Sequence, residues 1–136
     1  MHELFEHTAD LGLRATAPTL DALFAEMAAG LVSAMVEDPA GVRPLLEQRI
    51  ELAGTDREFL LFDWLKELLV RFETDRLLFA SFDVSVTDGG LIATVRGEPY
   101  DAERHPLAHE VKAITYHELK VERTADGWLG EVIVDI

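Results

Sequence analysis

Two aspartates stand where they could hold a hard cation. Asp10 lies in the run Glu6-His7-Thr8-Ala9-Asp10-Leu11-Gly12. In an extended strand, side chains alternate between faces, so Leu11 and Leu13 turn to one side and Asp10, Gly12 and Arg14 to the other. Asp135 is the penultimate residue. Val134 and Ile136 share the apolar phase, so Asp135 points the opposite way, and the α-carboxylate of Ile136 is expected one residue further on. Two aspartates and a terminal carboxylate offer oxygen donors suited to Ca²⁺, Mg²⁺ or Mn²⁺. The competing reading is two solvated acids at strand ends. Periodicity along one chain does not by itself bring its ends together.

Other candidates are weaker. His7 falls on the opposite strand phase from Asp10, where a half-buried histidine with a backbone partner is the commoner case. His105 and His109 are four apart, the spacing of a helical zinc pair. However, Pro106 limits any helix there, the pattern is not HExxH, and no third ligand follows. Lys112, in Glu110-Val111-Lys112-Ala113-Ile114, reads either as a snorkelling side chain or as a point charge for a phosphate. The chain contains no GxxxxGK[ST], GxGxxG or GxSxG, so it has neither a recognisable phosphate cradle nor a nucleophile elbow.

Charge narrows the function classes further. Twenty-six acidic residues face 12 basic ones, for a net charge of −14. Binding a phosphate backbone directly requires clustered Lys and Arg, so no direct nucleic-acid binding is expected, and any link to RNA should run through a protein. An acidic surface suits a basic partner or a cation, as well as solubility. The absence of cysteine excludes disulfides and thiolate metal sites and fits a cytoplasmic location. The start, MHELFEH, does not read as a signal peptide. The most apolar run, FLLFDWLKELLV, is interrupted by Asp63, Lys66 and Glu67 and is too short to span a bilayer, so no membrane association is expected.

The elements that must position these residues read as follows. At 136 residues, 49% of them hydrophobic, one domain over residues 1–136 is expected, with a core that needs no staples. Leu20, Leu23, Phe24, Met27, Leu31 and Met35 form one helical face. Thr19 is the expected N-cap, Gly30 is a cost inside the helix, and the helix ends before Pro39. Thr55-Asp56-Arg57-Glu58 reads as a capping box with Thr55 as the cap. The second helix then presents Leu61, Trp64, Leu65, Leu68 and Phe72, widened by Phe59, Phe62 and Leu69. Elsewhere the period is two. Leu11, Leu13 and Ala15 make an early strand, and Ile50 and Leu52 a short one. Phe82, Val84 and Val86 turn through Asp88-Gly89-Gly90 into Leu91, Ala93 and Val95. Leu119 and Val121 turn through Ala125-Asp126-Gly127 into Trp128, Val132 and Val134. Residues 97–111 show no clear period and read as a long loop. The order ββ-α-β-α-ββ-loop-ββ predicts an α+β fold of mostly antiparallel sheet with two main helices.

Three segments carry a resemblance to a known family: Phe5–Ala15 (FEHTADLGLRA), His105-Pro106 followed by His109–His117 (HEVKAITYH), and the terminal VIVDI. They resemble the archeases. The helix after Pro18-Thr19, the LLFDWL segment around Trp64 and GEPY at Gly97–Tyr100 match in order, so the resemblance spans essentially the whole chain. EVKAITY and the closing VDI are its specific parts.

The resemblance implies an α+β accessory protein, not itself an enzyme, that activates an RtcB-type RNA ligase. That ligase joins RNA ends bearing a 2′,3′-cyclic or 3′-phosphate to 5′-hydroxyl ends through its own guanylylated histidine, with GTP and Mn²⁺. The archease promotes guanylylation and multiple turnover, in tRNA splicing or RNA repair. The family's metal-binding aspartates fall on Asp10 and Asp135, with the Ile136 carboxylate beside them, and the cofactor implied is a divalent cation: calcium, magnesium or manganese. Its functional lysine falls on Lys112, which with His7 is expected to face a partner or a phosphate. Two other function classes stay open: a stand-alone metal-dependent hydrolase using Asp10, Asp135 and His7, and a general chaperone-like binding module.

Overall fold

The computed structural model describes residues 1–7 and 10–136, and of His7 the backbone only. Its elements are β1 (His2–His7), β2 (Asp10–Ala17), α1 (Leu20–Met35), a 3-10 turn (Pro39–Gly41), β3 (Leu46–Ala53), α2 (Arg57–Asp75), β4 (Leu77–Thr87), β5 (Gly90–Pro99), β6 (Ala113–Ile114), β7 (Lys120–Thr124) and β8 (Gly127–Asp135). The fold is α+β, and every strand pairing is antiparallel.

The strands form two sheets. One has the order β1-β2-β8-β6, with β7 also paired to β8, and the other has the order β3-β5-β4. In the second sheet the hairpin register sets Phe82 across from Val95, Val84 from Ala93 and Val86 from Leu91, the pairing expected from the alternation. In the first sheet, β8 is long enough to serve two short strands in turn. Its start pairs with β7 and its end with β6.

The helices are amphipathic and bury their apolar stripes between the sheets. Leu23, Phe24, Met27 and Leu31 of α1 and Leu61, Trp64 and Leu65 of α2 are fully buried. Each such side chain contributes about 1.5–3 kcal/mol relative to exposure. Trp64 donates its indole N–H to the Phe24 carbonyl at 2.9 Å, so its one polar group is satisfied inside the core. Gly30 is where α1 meets β2: a Cβ there would overlap the Leu13 side chain. The helix-propensity cost of that glycine, about 1 kcal/mol, is what permits the close approach.

Several sequence expectations need correction. Thr19 does cap α1, accepting from Ala22 N–H at 3.1 Å, but α2 is capped by Asp56 rather than Thr55. The Asp56 carboxylate accepts from the N–H groups of Glu58 and Phe59 at 2.9 and 3.1 Å. Glu58 is thus released from a capping box and accepts instead from Val121 N–H at 3.2 Å. Phe59, expected on the buried face, is 55% exposed. β3 spans eight residues rather than a short segment, because its outward positions are polar and only Ile50 is fully buried. Residues 97–99 belong to β5 rather than to a loop.

Candidate functional site

The hairpin and the closing strand bring the two aspartates together. β2 and β8 pair with Asp10 directly across from Asp135, in phase with Leu11 opposite Val134 and Leu13 opposite Val132. Directly opposed residues of an antiparallel pair project from the same face, with Cβ atoms about 4.5–5.5 Å apart. Leu11, Leu13, Val132 and Val134 are buried, whereas Asp10, Asp135 and Ile136 are half-exposed. The apolar phase therefore forces both carboxylates to the other face, at the same end of the sheet.

The row continues on both sides. β1 sets His7 across from Asp10, and β6 sets Ala113 across from Asp135. Counting phase along one strand places His7 opposite in sense to Asp10, but β1 and β2 pair with the two as register partners. The side chain of His7 lies outside the described residues.

Like charges set directly opposite each other in a sheet are unfavourable, and a divalent cation between them would relieve the repulsion. The donor set, two carboxylates on adjacent strands with the Ile136 position beside them, suits a hard cation with water completing its shell. Among the described residues, no group of three or more His, Asp or Glu side chains is placed to hold a metal ion, so Asp10 and Asp135 supply two of the donors a cation would need.

Lys112 reaches this end through its backbone: its N–H donates to the Asp135 carbonyl at 2.7 Å. Its side chain is exposed and lines a cleft of about 450 Å³ with Phe72, Arg76, His109 and Val111 among its walls. The structure thus joins Asp10, Asp135, Ile136 and the Lys112 backbone at one corner. His109 lines the cleft rather than pairing with His105.

His105, which the sequence already made a poor zinc ligand, is held by other groups. That ring is 1% exposed. Its Nδ1 accepts the Asp101 N–H at 2.9 Å, which leaves the proton on Nε2, 3.1 Å from the Glu98 carboxylate. Glu98 is 2% exposed. It also accepts from the Arg43 N–H at 2.6 Å, from the Arg43 guanidinium at 3.0 and 3.1 Å and from Arg104 at 2.6 Å. Burial alone would raise the Glu98 pKa. The Arg43 N–H and guanidinium, with Arg104 and His105, outweigh that and hold it at about 2.

This buried cluster positions the segment that carries Lys112. Arg104 also donates to the Gly41 carbonyl at 3.0 Å. Beyond it, Pro106 accepts from Glu37 N–H and Ala108 N–H donates to Met35, both at 2.9 Å, fastening the chain to the end of α1. Sequence reasoning missed the cluster. By alternation with the inward-facing Leu91, Ala93 and Val95, Glu98 falls on the outward phase of β5, so no spacing signal announces its burial.

The comparisons with known proteins settle the lineage. Residues 2–136 match the Archease protein family (MTH1598/TM1083). The chain belongs to the archease family. It is 44% identical to the protein archease of Methanopyrus kandleri, covering 98% of each chain, and 39% identical to that of Pyrococcus furiosus, covering 98% of this chain and 97% of the relative. The solution structure of Methanobacterium thermoautotrophicum protein 1598 superposes with a TM-score of 0.83 at 32% identity, covering 99% and 98% of the two chains. A crystal structure from Thermotoga maritima, described as an archease and possible chaperone, has a TM-score of 0.61 at 21% identity, covering 100% of this chain and 98% of that one, a likeness of fold. No helix among the described residues is long and apolar enough to cross a membrane.

Proposed function

We propose that this archease-family chain is a metal-binding accessory protein that activates an RtcB-type RNA ligase, promoting its guanylylation and multiple turnover in tRNA splicing or RNA repair. The supporting observation is the register that opposes Asp10 to Asp135 and ties the Lys112 backbone to the same corner. In this reading, Asp10, Asp135 and the Ile136 carboxylate hold a divalent cation: calcium, magnesium or manganese. When bound, such a cation offsets negative charge on nucleotide phosphates.

The chain's own residues do the rest. The two aspartates present their carboxylates on one face, toward a partner's nucleotide pocket. Lys112, bonded to Asp135 through its backbone, offers an exposed ammonium in the neighbouring cleft, a point charge for a phosphate oxygen or an acidic side chain of the partner. His7 stands across from Asp10 in the same row. The chain carries no nucleophile elbow or phosphate cradle of its own; a stand-alone metal-dependent hydrolase would show turnover by this chain alone. The description of the Thermotoga maritima relative as a possible chaperone suits a general binding module, a reading that predicts no dependence on either aspartate.

RNA ligation by limiting ligase, with and without this protein, separates these readings. The unaltered protein is expected to raise the number of turnovers. Asp10→Asn, Asp135→Asn and a C-terminal tag that converts the Ile136 carboxylate to an amide are each expected to abolish that stimulation while the protein stays folded. Full stimulation by Asp135→Asn would end the metal-site reading. Stimulation by the tagged protein would remove the Ile136 carboxylate from the site.

A further inference from the structure

An aromatic ledge lies on the outer side of α2. Phe59 and Tyr116 are 55% and 59% exposed. The Tyr116 ring lies flat on Phe62, with centroids 3.9 Å apart and 14° between planes, and Phe59 meets it edge-on at 5.5 Å and 81°.

The ledge is built rather than merely left over. Thr115 donates both its N–H and its hydroxyl to the Ile133 carbonyl, at 3.1 and 2.8 Å. The His117 N–H returns to the Thr115 hydroxyl at 3.2 Å. The Leu119 N–H closes on the Tyr116 carbonyl at 3.2 Å, and Glu118 takes a left-handed φ of 54° to complete the turn. A non-glycine residue in that region carries strain of order 1 kcal/mol, spent here on a turn that holds a ring out in water. A ring already fixed in place loses little conformational freedom on binding.

Two further observations say what covers it. The first is continuity: the same segment begins at Lys112, bonded to Asp135, and reaches Tyr116 four residues later, about 13 Å in extended chain. The aspartate corner and the ledge are thus tied together by one short backbone segment. The second is charge. Asp63, exposed and one helical turn beyond Phe59, forms no ion pair among the described residues, and the whole chain carries −14.

We infer that the Phe59–Tyr116 ledge is the anchor by which this chain docks a basic, arginine-bearing protein surface, that of the ligase it activates. A guanidinium stacks on an aromatic face while pairing with a carboxylate, which a lysine does less well. Exposed aromatics surrounded by polar residues carry a disproportionate share of interface energy. The identity of the partner rests on the function proposed above; the ledge as an interface does not.

The test is the affinity of the intact chain for purified ligase. Phe59→Ala and Tyr116→Ala are each expected to weaken binding tenfold or more, and Asp63→Lys to weaken it further as the charge reverses. Ile92→Ala, which trims an apolar side chain 44% exposed on the other sheet, should leave binding unchanged. Phe59→Ala keeps the Tyr116–Phe62 stack, so it remains informative if Tyr116→Ala loosens the fold. Ligase binding that ignores both ring variants would overturn the ledge. Tighter binding by Asp63→Lys would overturn the basic partner. A dimer of this chain dissociated by Phe59→Ala with ligase affinity intact, or ring-dependent binding of RNA alone, would assign the ledge to those occupants instead. No binding by the unaltered chain would overturn the functional reading and, with it, the ligase as occupant.

Discussion

The Glu98 cluster and the Asp10–Asp135 corner use the same side-chain chemistry to opposite ends. Glu98 is buried and saturated: two guanidinium groups, a backbone N–H and a histidine all reach its two oxygens. Asp10 and Asp135 are half-exposed and face each other across adjacent strands. A carboxylate whose counter-charges come from its own chain contributes to holding that chain together. Asp10 and Asp135 are instead set against each other, an arrangement that a bound cation would favour. On the proposed reading, the first site is structural and the second functional.

The largest effect separating the two regions should come from Glu98→Gln. Losing hydrogen bonds to a buried charged group costs about 1.5–3 kcal/mol; Arg43 and Arg104, left without their counter-charge, are part-exposed and still hydrated. Denaturant unfolding should report that loss. Acid should produce a related loss in the unaltered protein. The folded-state pKa of Glu98, about 2, lies below its ordinary 4.5. Its contribution is therefore fully present above pH 4.5 and disappears as pH falls toward 2. Glu98→Gln should lack that component of the acid transition. A variant as stable as the parent at neutral pH would mean the cluster is not a structural clasp.

A smaller effect, of opposite sign, is expected at the other corner. Directly opposed like charges destabilise a sheet by about 0.2–1 kcal/mol. In a chelating buffer, Asp135→Asn should leave stability unchanged or raise it by about 0.5 kcal/mol. A loss of several kcal/mol would show that Asp135 is structural, like Glu98, and would erase the distinction.

Much of this fold was legible from periodicity, and the reasons are local. The alternation of Phe82, Val84 and Val86 against Leu91, Ala93 and Val95 set a register that the structure reproduces, because a one-residue slip would expose the whole apolar set. Thr19 was readable as a cap for the same reason: a cap and its target lie three residues apart. The capping of α2 was misread because Thr55 and Asp56 both carry a capping oxygen, and only the backbone path decides between them. Phe59 was misread because helical spacing reports which face is apolar but not whether something covers its edge.

The candidate site was legible in a different way. Phase alone put Asp10 and Asp135 away from the core; their meeting required β2 to pair with β8, residues more than a hundred apart in sequence. The resemblance to the archeases supplied that link before the topology did. The Glu98 cluster had no such help. Its members, Arg43, Glu98, Arg104 and His105, come from one loop, one strand and one turn, and no spacing rule joins them.

The central claim is that the opposed aspartates form a cation site, and thermal unfolding with and without divalent cation tests it most directly. A cation that binds only the folded chain raises its melting temperature with concentration. The account predicts such a rise for the unaltered protein on titration with Ca²⁺, Mg²⁺ or Mn²⁺. It predicts none for Asp10→Asn or for Asp135→Asn, and no further loss when the two are combined. A cation-dependent rise that survives in either single variant would contradict it.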